Sequence, residues 1–210
     1  MKTRIWKNYY DIVILPPKPV AEYARALSKK LHKYGATFVL GKRHYIPHIS
    51  LFHIPVKPEK FTQFEADIAS CVKGFKADIL KTGKLARGMI VTNKPKWLQA
   101  LHTKVLSTSF PYIDWDYGVA ATWGFVTRLS RQQREIGQRN IRKYGAPFVG
   151  STFFPHITIT DSPAFNDAKE DPEILHGLKF MSFRFKVKEI YICELGPHHS
   201  CQRIVKKIRL

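Results

Sequence analysis

A mixed α/β fold is what this sequence predicts, and three observations carry the prediction. Segments with strand and helix periodicity alternate in similar numbers, no linker or low-complexity tract separates them, and one stretch of the chain is repeated. The length of 210 residues suits one compact domain or two small lobes on a shared core, and an apolar fraction of 44% is enough to fill it.

The elements follow in order. Asp11-Ile-Val-Ile-Leu15, closed by Pro16 and Pro17, reads as a buried strand that the prolines end. Val20, Tyr23, Ala24, Leu27 and Leu31 recur at helical spacing, with Gly35 placed to stop the helix in a left-handed conformation. Phe61, Phe64, Ile68 and Val72 mark a second helix, stopped by Gly74, and Trp97, Leu98, Leu101 and Val105 a third, opened after Pro95. Ser130 and Gln133 have capping-box spacing at the head of a fourth, which carries Arg131, Arg134, Arg139, Arg142 and Lys143. Met89 to Thr92, Val119 to Thr127, Phe183 to Leu195 and Arg203 to Leu210 read as strands. The last two flank Gly196-Pro-His-His-Ser200 and predict a closing hairpin.

Charge narrows the function. Thirty-five Lys and Arg against 16 Asp and Glu give +19, an excess that favours a polyanionic partner such as nucleic acid. A Mg²⁺ or Ca²⁺ site would need clustered carboxylates, and few are to spare. Cys71, Cys193 and Cys201 form neither a zinc module nor a disulfide framework and are expected to be free thiols. The apolar run from Ile12 to Leu15 is too short for a secretory signal, and no window reaches the length of a membrane span. The expectation is a soluble cytoplasmic protein with no cofactor, no metal, no membrane and no obligate protein partner.

The repeat carries the functional argument. Lys33-Tyr-Gly-Ala-Thr-Phe-Val39 returns as Lys143-Tyr-Gly-Ala-Pro-Phe-Val149. Each copy then runs into a second shared block, Pro47-His-Ile-Ser-Leu51 in the first and Pro155-His-Ile-Thr-Ile159 in the second. Composition alone would produce a second such pentamer on the order of once in a thousand chains, and the preceding match makes chance weaker still.

On a strand, residues i and i+2 share a face, so His48 pairs with Ser50 and His156 with Thr158, backed by core aliphatics. Related by a pseudo-twofold axis, the two faces meet across one cleft. Two imidazoles suit general acid–base catalysis near neutral pH, and the hydroxyls of Ser50 and Thr158 can donate to phosphate oxygens. Such a site needs no metal.

At these residues the chain resembles the 2H phosphoesterases, named for two His-x-Ser/Thr motifs, which include the LigT-like RNA 2′,3′-cyclic phosphodiesterases also known as 2′-5′ RNA ligases. His48-Ile-Ser-Leu51 and His156-Ile-Thr-Ile159 carry the resemblance, with their separation and the total length. The segment from Leu129 through Tyr144-Gly-Ala-Pro-Phe148 to Thr160 is also similar to a 2H branch associated with phosphonate metabolism. Together the matching stretches cover about a quarter of the chain.

The resemblance implies one bilobal domain over residues 1–210, of pseudo-twofold α/β (α+β) architecture. Each lobe would be a mostly antiparallel sheet with helices outside, and the repeats of about 11–56 and 119–161 would supply one motif each. It also implies metal-independent cleavage of a phosphodiester in RNA or a nucleotide, with His48 and His156 catalytic and Ser50 and Thr158 on the phosphate. Ser50 departs from the more usual threonine but keeps the donor.

Other residues have weaker claims. His44 and His53 flank the first motif and suggest a metal, but a strand would turn His48 and His53 to opposite faces, and the second copy has no matching histidines. His198 and His199 read as solvated turn residues. Tyr45, Phe52, Trp123 and Phe154 are candidates for base stacking, each also suited to the core. Arg131, Arg134 and Arg139 are candidates for sequence-blind contact with RNA backbone. Competing functions are a non-enzymatic RNA-binding module and a small-molecule cyclic phosphoesterase of phosphonate or nucleotide metabolism.

Overall fold

The structure is a computed structural model that describes residues 7–115, 130–161, 165 and 181–210. The strand expected at Val119–Thr127 lies outside them, as does Trp123. The described chain is α+β: two four-stranded antiparallel sheets and, among the described residues, four α-helices. Its strands are β1 (Tyr9–Ile14), β2 (Ile49–Pro55), β3 (Ile79–Ala86), β4 (Met89–Thr92), β5 (His156–Thr158), β6 (Arg184–Lys186), β7 (Glu189–Gly196) and β8 (Ser200–Arg209). The helices are α1 (Lys18–Leu31), α2 (Phe61–Val72), α3 (Lys96–Ser109) and α4 (Arg131–Tyr144). Among the described residues no helix is long and apolar enough to cross a membrane.

The first sheet runs β2-β1-β7-β8 and the second β5-β4-β3-β6. Each motif strand is therefore the edge of its sheet, and the two edges, β2 and β5, approach each other. One continuous core joins Ile12, Ile49 and Ile54 of the first sheet to Ile90 and Ile157 of the second, with Leu27, Phe64 and Leu101 of the helices packed into it.

The repeat has a structural counterpart. In both copies Lys lies over the ring of the next Tyr, Lys33 on Tyr34 and Lys143 on Tyr144, each at 5.0 Å. In both, the following glycine adopts a left-handed conformation, Gly35 at φ 80° and Gly145 at φ 72°. Gly88 is also constrained: at φ 76°, a Cβ would sit 2.6 Å from the Thr160 carbonyl oxygen. Its own carbonyl accepts from the amides of Ile159 (2.8 Å) and Thr160 (3.2 Å), which holds the chain leaving β5.

Two expectations are corrected. Phe183–Leu195 is not one strand: β6 belongs to the second sheet and β7 to the first, so the chain changes sheets at Val187 and Lys188. Helix α4 is not closed by a capping box, because the Ser130 hydroxyl donates to the Gln133 side-chain oxygen at 3.2 Å and not to a backbone amide.

Candidate active site

The two motif histidines are oriented by the same device. His48 Nδ1 lies 2.7 Å from the carbonyl of Ile46, and His156 Nδ1 lies 2.8 Å from that of Phe154. A carbonyl oxygen only accepts, so Nδ1 carries the proton in both rings and Nε2 is left for chemistry. Register places Val91 opposite His156 and Met89 opposite Thr158, so the second motif sits on the face of β4–β5 that points away from Ile90 and Ile157 in the core.

The first motif sits on a row that crosses its sheet. Asp11 of β1 is paired with His53 on β2 and with Cys193 on β7. Fully buried Asp11 turns one oxygen, Oδ2, toward three groups: Ser50 Oγ at 2.7 Å, His53 Nε2 at 3.1 Å and His48 Nε2 at 3.4 Å. His53 Nε2 is also 3.0 Å from Ser50 Oγ. The other oxygen, Oδ1, is buried with no hydrogen-bond partner among the described residues.

A β-bulge makes this cluster and overturns the expectation that His48 and His53 face opposite ways. Ile12 pairs with Phe52 but Val13 pairs with Ser50, leaving Leu51 as an inserted residue in β2. The insertion shifts the alternation by one, so Ser50 and His53 share a face, while Leu51 and Phe52 are both buried. Phe52, expected as a stacking candidate, is therefore core: it is 2% exposed.

Electrostatics separates the two imidazoles. Burial alone would depress His48, but the hydrogen bond and charge of Asp11, with smaller help from Cys201 and the Ile46 carbonyl, raise it to about 9. Burial would raise the Asp11 carboxyl, yet the charge of His53 and its bonds with both histidines hold it at about 2. His156 moves the other way. Burial lowers it, the Phe154 carbonyl opposes this, and the charges of His48 and His53 push it further down. One imidazole is held charged and the other neutral.

The surroundings complete the site. His199 stacks on His53, rings 5.4 Å apart at 8°, and burial followed by the charge of His53 lowers it to about 3, so it is not the solvated turn residue the sequence suggests. The thiols of Cys193 and Cys201 are free and buried; their mutual hydrogen bond, then burial, raise that of Cys193. Phe154 is 47% exposed with its ring 5.5 Å from that of His156. Tyr45 instead stacks on Phe38, centroids 5.6 Å apart at 6°. His44 is exposed, and among the described residues no group of three or more His, Cys, Asp or Glu side chains is arranged to hold a metal ion. Arg131, Arg134 and Arg139 are exposed on α4. A separate cleft of about 430 Å³, lined by Lys57, Lys60, Tyr112 and Trp115 among others, contains neither motif histidine.

Sequence reasoning missed Asp11, which looked like the first residue of an apolar strand, and His102. The His102 ring stacks on Phe153, centroids 4.0 Å apart at 3°, between the two motif segments. Compared with models of known protein families and with curated proteins, the chain matches none.

Proposed function

We propose that this chain is a phosphodiesterase of the 2H type, hydrolysing 2′,3′-cyclic phosphate or 2′-5′ phosphodiester bonds in RNA or a nucleotide without a metal. One observation carries the reading: the edge strands of two sheets offer two imidazoles, each with Nδ1–H tied back to the carbonyl two residues earlier, one held charged and the other neutral.

In this reading neutral His156 takes a proton from water at Nε2 as the water oxygen attacks phosphorus. Charged His48 gives its Nε2 proton to the ribose oxygen as the P–O bond breaks, so the product is a phosphomonoester and an alcohol. The Thr158 hydroxyl donates to a nonbridging oxygen, where negative charge gathers in the transition state. Exposed Phe154 beside His156 offers a face to a nucleobase, which favours a nucleotide over a small cyclic phosphate without a base. The net charge of +19 draws an anionic substrate toward the site.

The test is incubation with an oligoribonucleotide ending in a 2′,3′-cyclic phosphate, in EDTA, read by mass and by the 2′- or 3′-phosphate formed. Ring opening to a single phosphate isomer is expected. Binding without ring opening would favour an RNA-binding module, and turnover only after Mn²⁺ or Zn²⁺ is added would sink the two-histidine mechanism.

A further inference from the structure

We infer that Asp11 is the positioning residue that makes the first motif the proton-donating half of the site, with Ser50 and His53 bracing its carboxylate instead of contacting substrate. This rests on the phosphodiesterase reading and divides its labour between the two copies.

The geometry gives the argument. Ser50 has one hydroxyl proton, and at 2.7 Å it goes to Asp11 Oδ2, so it is not free for a phosphate oxygen. The second copy differs: the Thr158 hydroxyl has no hydrogen-bond partner among the described residues. The repeated hydroxyls have thus taken different jobs, and Thr158 remains as the phosphate donor.

Distance matters as well. Ordinary N–H···O bonds span about 2.7–3.2 Å, and His48 Nε2 sits just beyond, at 3.4 Å from Asp11. The carboxylate therefore holds a charge on His48 without closing an ordinary hydrogen bond on its Nε2 proton. Three groups share Oδ2 of this carboxylate, while Oδ1 is buried with no hydrogen-bond partner among the described residues. Its placement at the first motif is explained by the charge it confers.

At the corresponding position the second copy has no carboxylate. Pairing of Val13 with Ser50 corresponds to pairing of Met89 with Thr158, so the position matching Asp11, two residues earlier, is Arg87 in the β3–β4 turn. Where the first half has a carboxylate, the second thus has a cation at the matching position.

Several other titratable groups border the pair. His53 faces Asp11 from β2, Cys193 from β7 and Tyr9 from its own strand; Cys201 of β8 acts on His48, His156 of β5 feels both, and His199 stacks on His53 from the β7–β8 turn. Of these, Asp11 is the group that both lies beside His48 Nε2 and carries negative charge at neutral pH.

The experiment compares Asp11→Asn and Ser50→Ala with the unmodified protein, by pH–rate profile on the cyclic-phosphate oligonucleotide and by NMR titration of the His48 Cε1 proton, assigned against His48→Gln. Asp11→Asn should move the alkaline limb of the profile and the His48 midpoint down by more than one pH unit. At pH 8 kcat should fall about 10- to 100-fold while KM changes less than about threefold. Ser50→Ala should leave KM for the oligonucleotide essentially unchanged and shift His48 slightly downward. Unmoved midpoints in Asp11→Asn would overturn the inference. So would a His48 midpoint in histidine's ordinary range, about 6.5, in the unmodified protein, a result that holds even if Asp11→Asn does not fold. Absence of cleavage by the unmodified protein would instead sink the phosphodiesterase reading, and the two failures are distinguishable because the titration needs no substrate.

Discussion

His102 binds the first motif strand to the loop that leads into the second. Its Nδ1–H donates to the Leu51 carbonyl of β2 at 2.8 Å, and its Nε2 accepts from the Gly150 amide, also at 2.8 Å. Burial holds its pKa below the usual value, so the neutral tautomer that can do both is the one present. Thr92 extends the bracing, since its amide and hydroxyl both donate to the Pro155 carbonyl, each at 3.1 Å.

His102→Ala should therefore cost about 2–4 kcal/mol, from a cavity beside Phe153 and two buried backbone groups left unpaired. Urea denaturation measures it. A midpoint within error of the unmodified protein would show that the bridge carries no load.

The acid–base pair makes a sharper demand. His48→Ala and His156→Ala should each lower kcat about 10²- to 10⁴-fold, and the double variant should be little worse than the poorer single, because in the proposed mechanism the two act as one unit. Thr158→Val should cost about 10- to 10³-fold by removing one donor to the transition-state charge, and Thr158→Ser should restore most of it. Steady-state kinetics on a cyclic-phosphate oligonucleotide decides the matter. Loss confined to His156→Ala would mean that the first copy is structural only.

Much of the fold was legible because local rules act locally. The periodicity of Val20 to Leu31 and the left-handed glycine at Gly35 depend on residues close in sequence, and they formed as expected. The Asp11 cluster was hidden for the opposite reason. It depends on a bulge at Leu51, which arises between strands and which no run of residues in β2 announces; strict alternation then assigns His53 to the wrong face. Phe52, weighed between core and stacking, is core by the same shift. His102 was hidden because an isolated histidine on an amphipathic helix gives no sign of which carbonyl it will meet.

The basic helix predicts a salt-dependent interaction. Arg131, Arg134 and Arg139 are exposed on α4, and Arg131 is 3.3 Å from Glu135 in a solvated pair that holds it only weakly. Charge reversal at all three should weaken RNA binding and flatten its dependence on salt, with turnover of a mononucleotide cyclic phosphate nearly unchanged. Fluorescence anisotropy across a salt series reads the slope. Equal loss on both substrates would place the helix in support of the fold.

Stability should pass through a maximum near neutral pH, and the two sides have different owners. His102, His156 and His199 all have lowered pKa values in the folded protein. As pH falls through about 6.5, the unfolded chain takes protons on these rings that the native state refuses, and stability declines. His48 acts in the opposite sense. Its folded value is about 9, so its contribution is complete below about 6.5 and is lost as pH rises toward 9. With three rings acting on the acid side and His48 on the alkaline side, the maximum falls between about pH 6.5 and 9. Between about pH 7 and 8.5 the part of the decline owned by His48 approaches 1.4 kcal/mol per pH unit, and thiols that ionise in the unfolded chain add to it at the upper end. Asp11→Asn should flatten that decline and leave the acid side, owned by the other three rings, largely in place. Denaturant midpoints measured from pH 5 to 8.5 give the answer, and an alkaline slope equal in both proteins would mean that Asp11 does not hold the charge on His48.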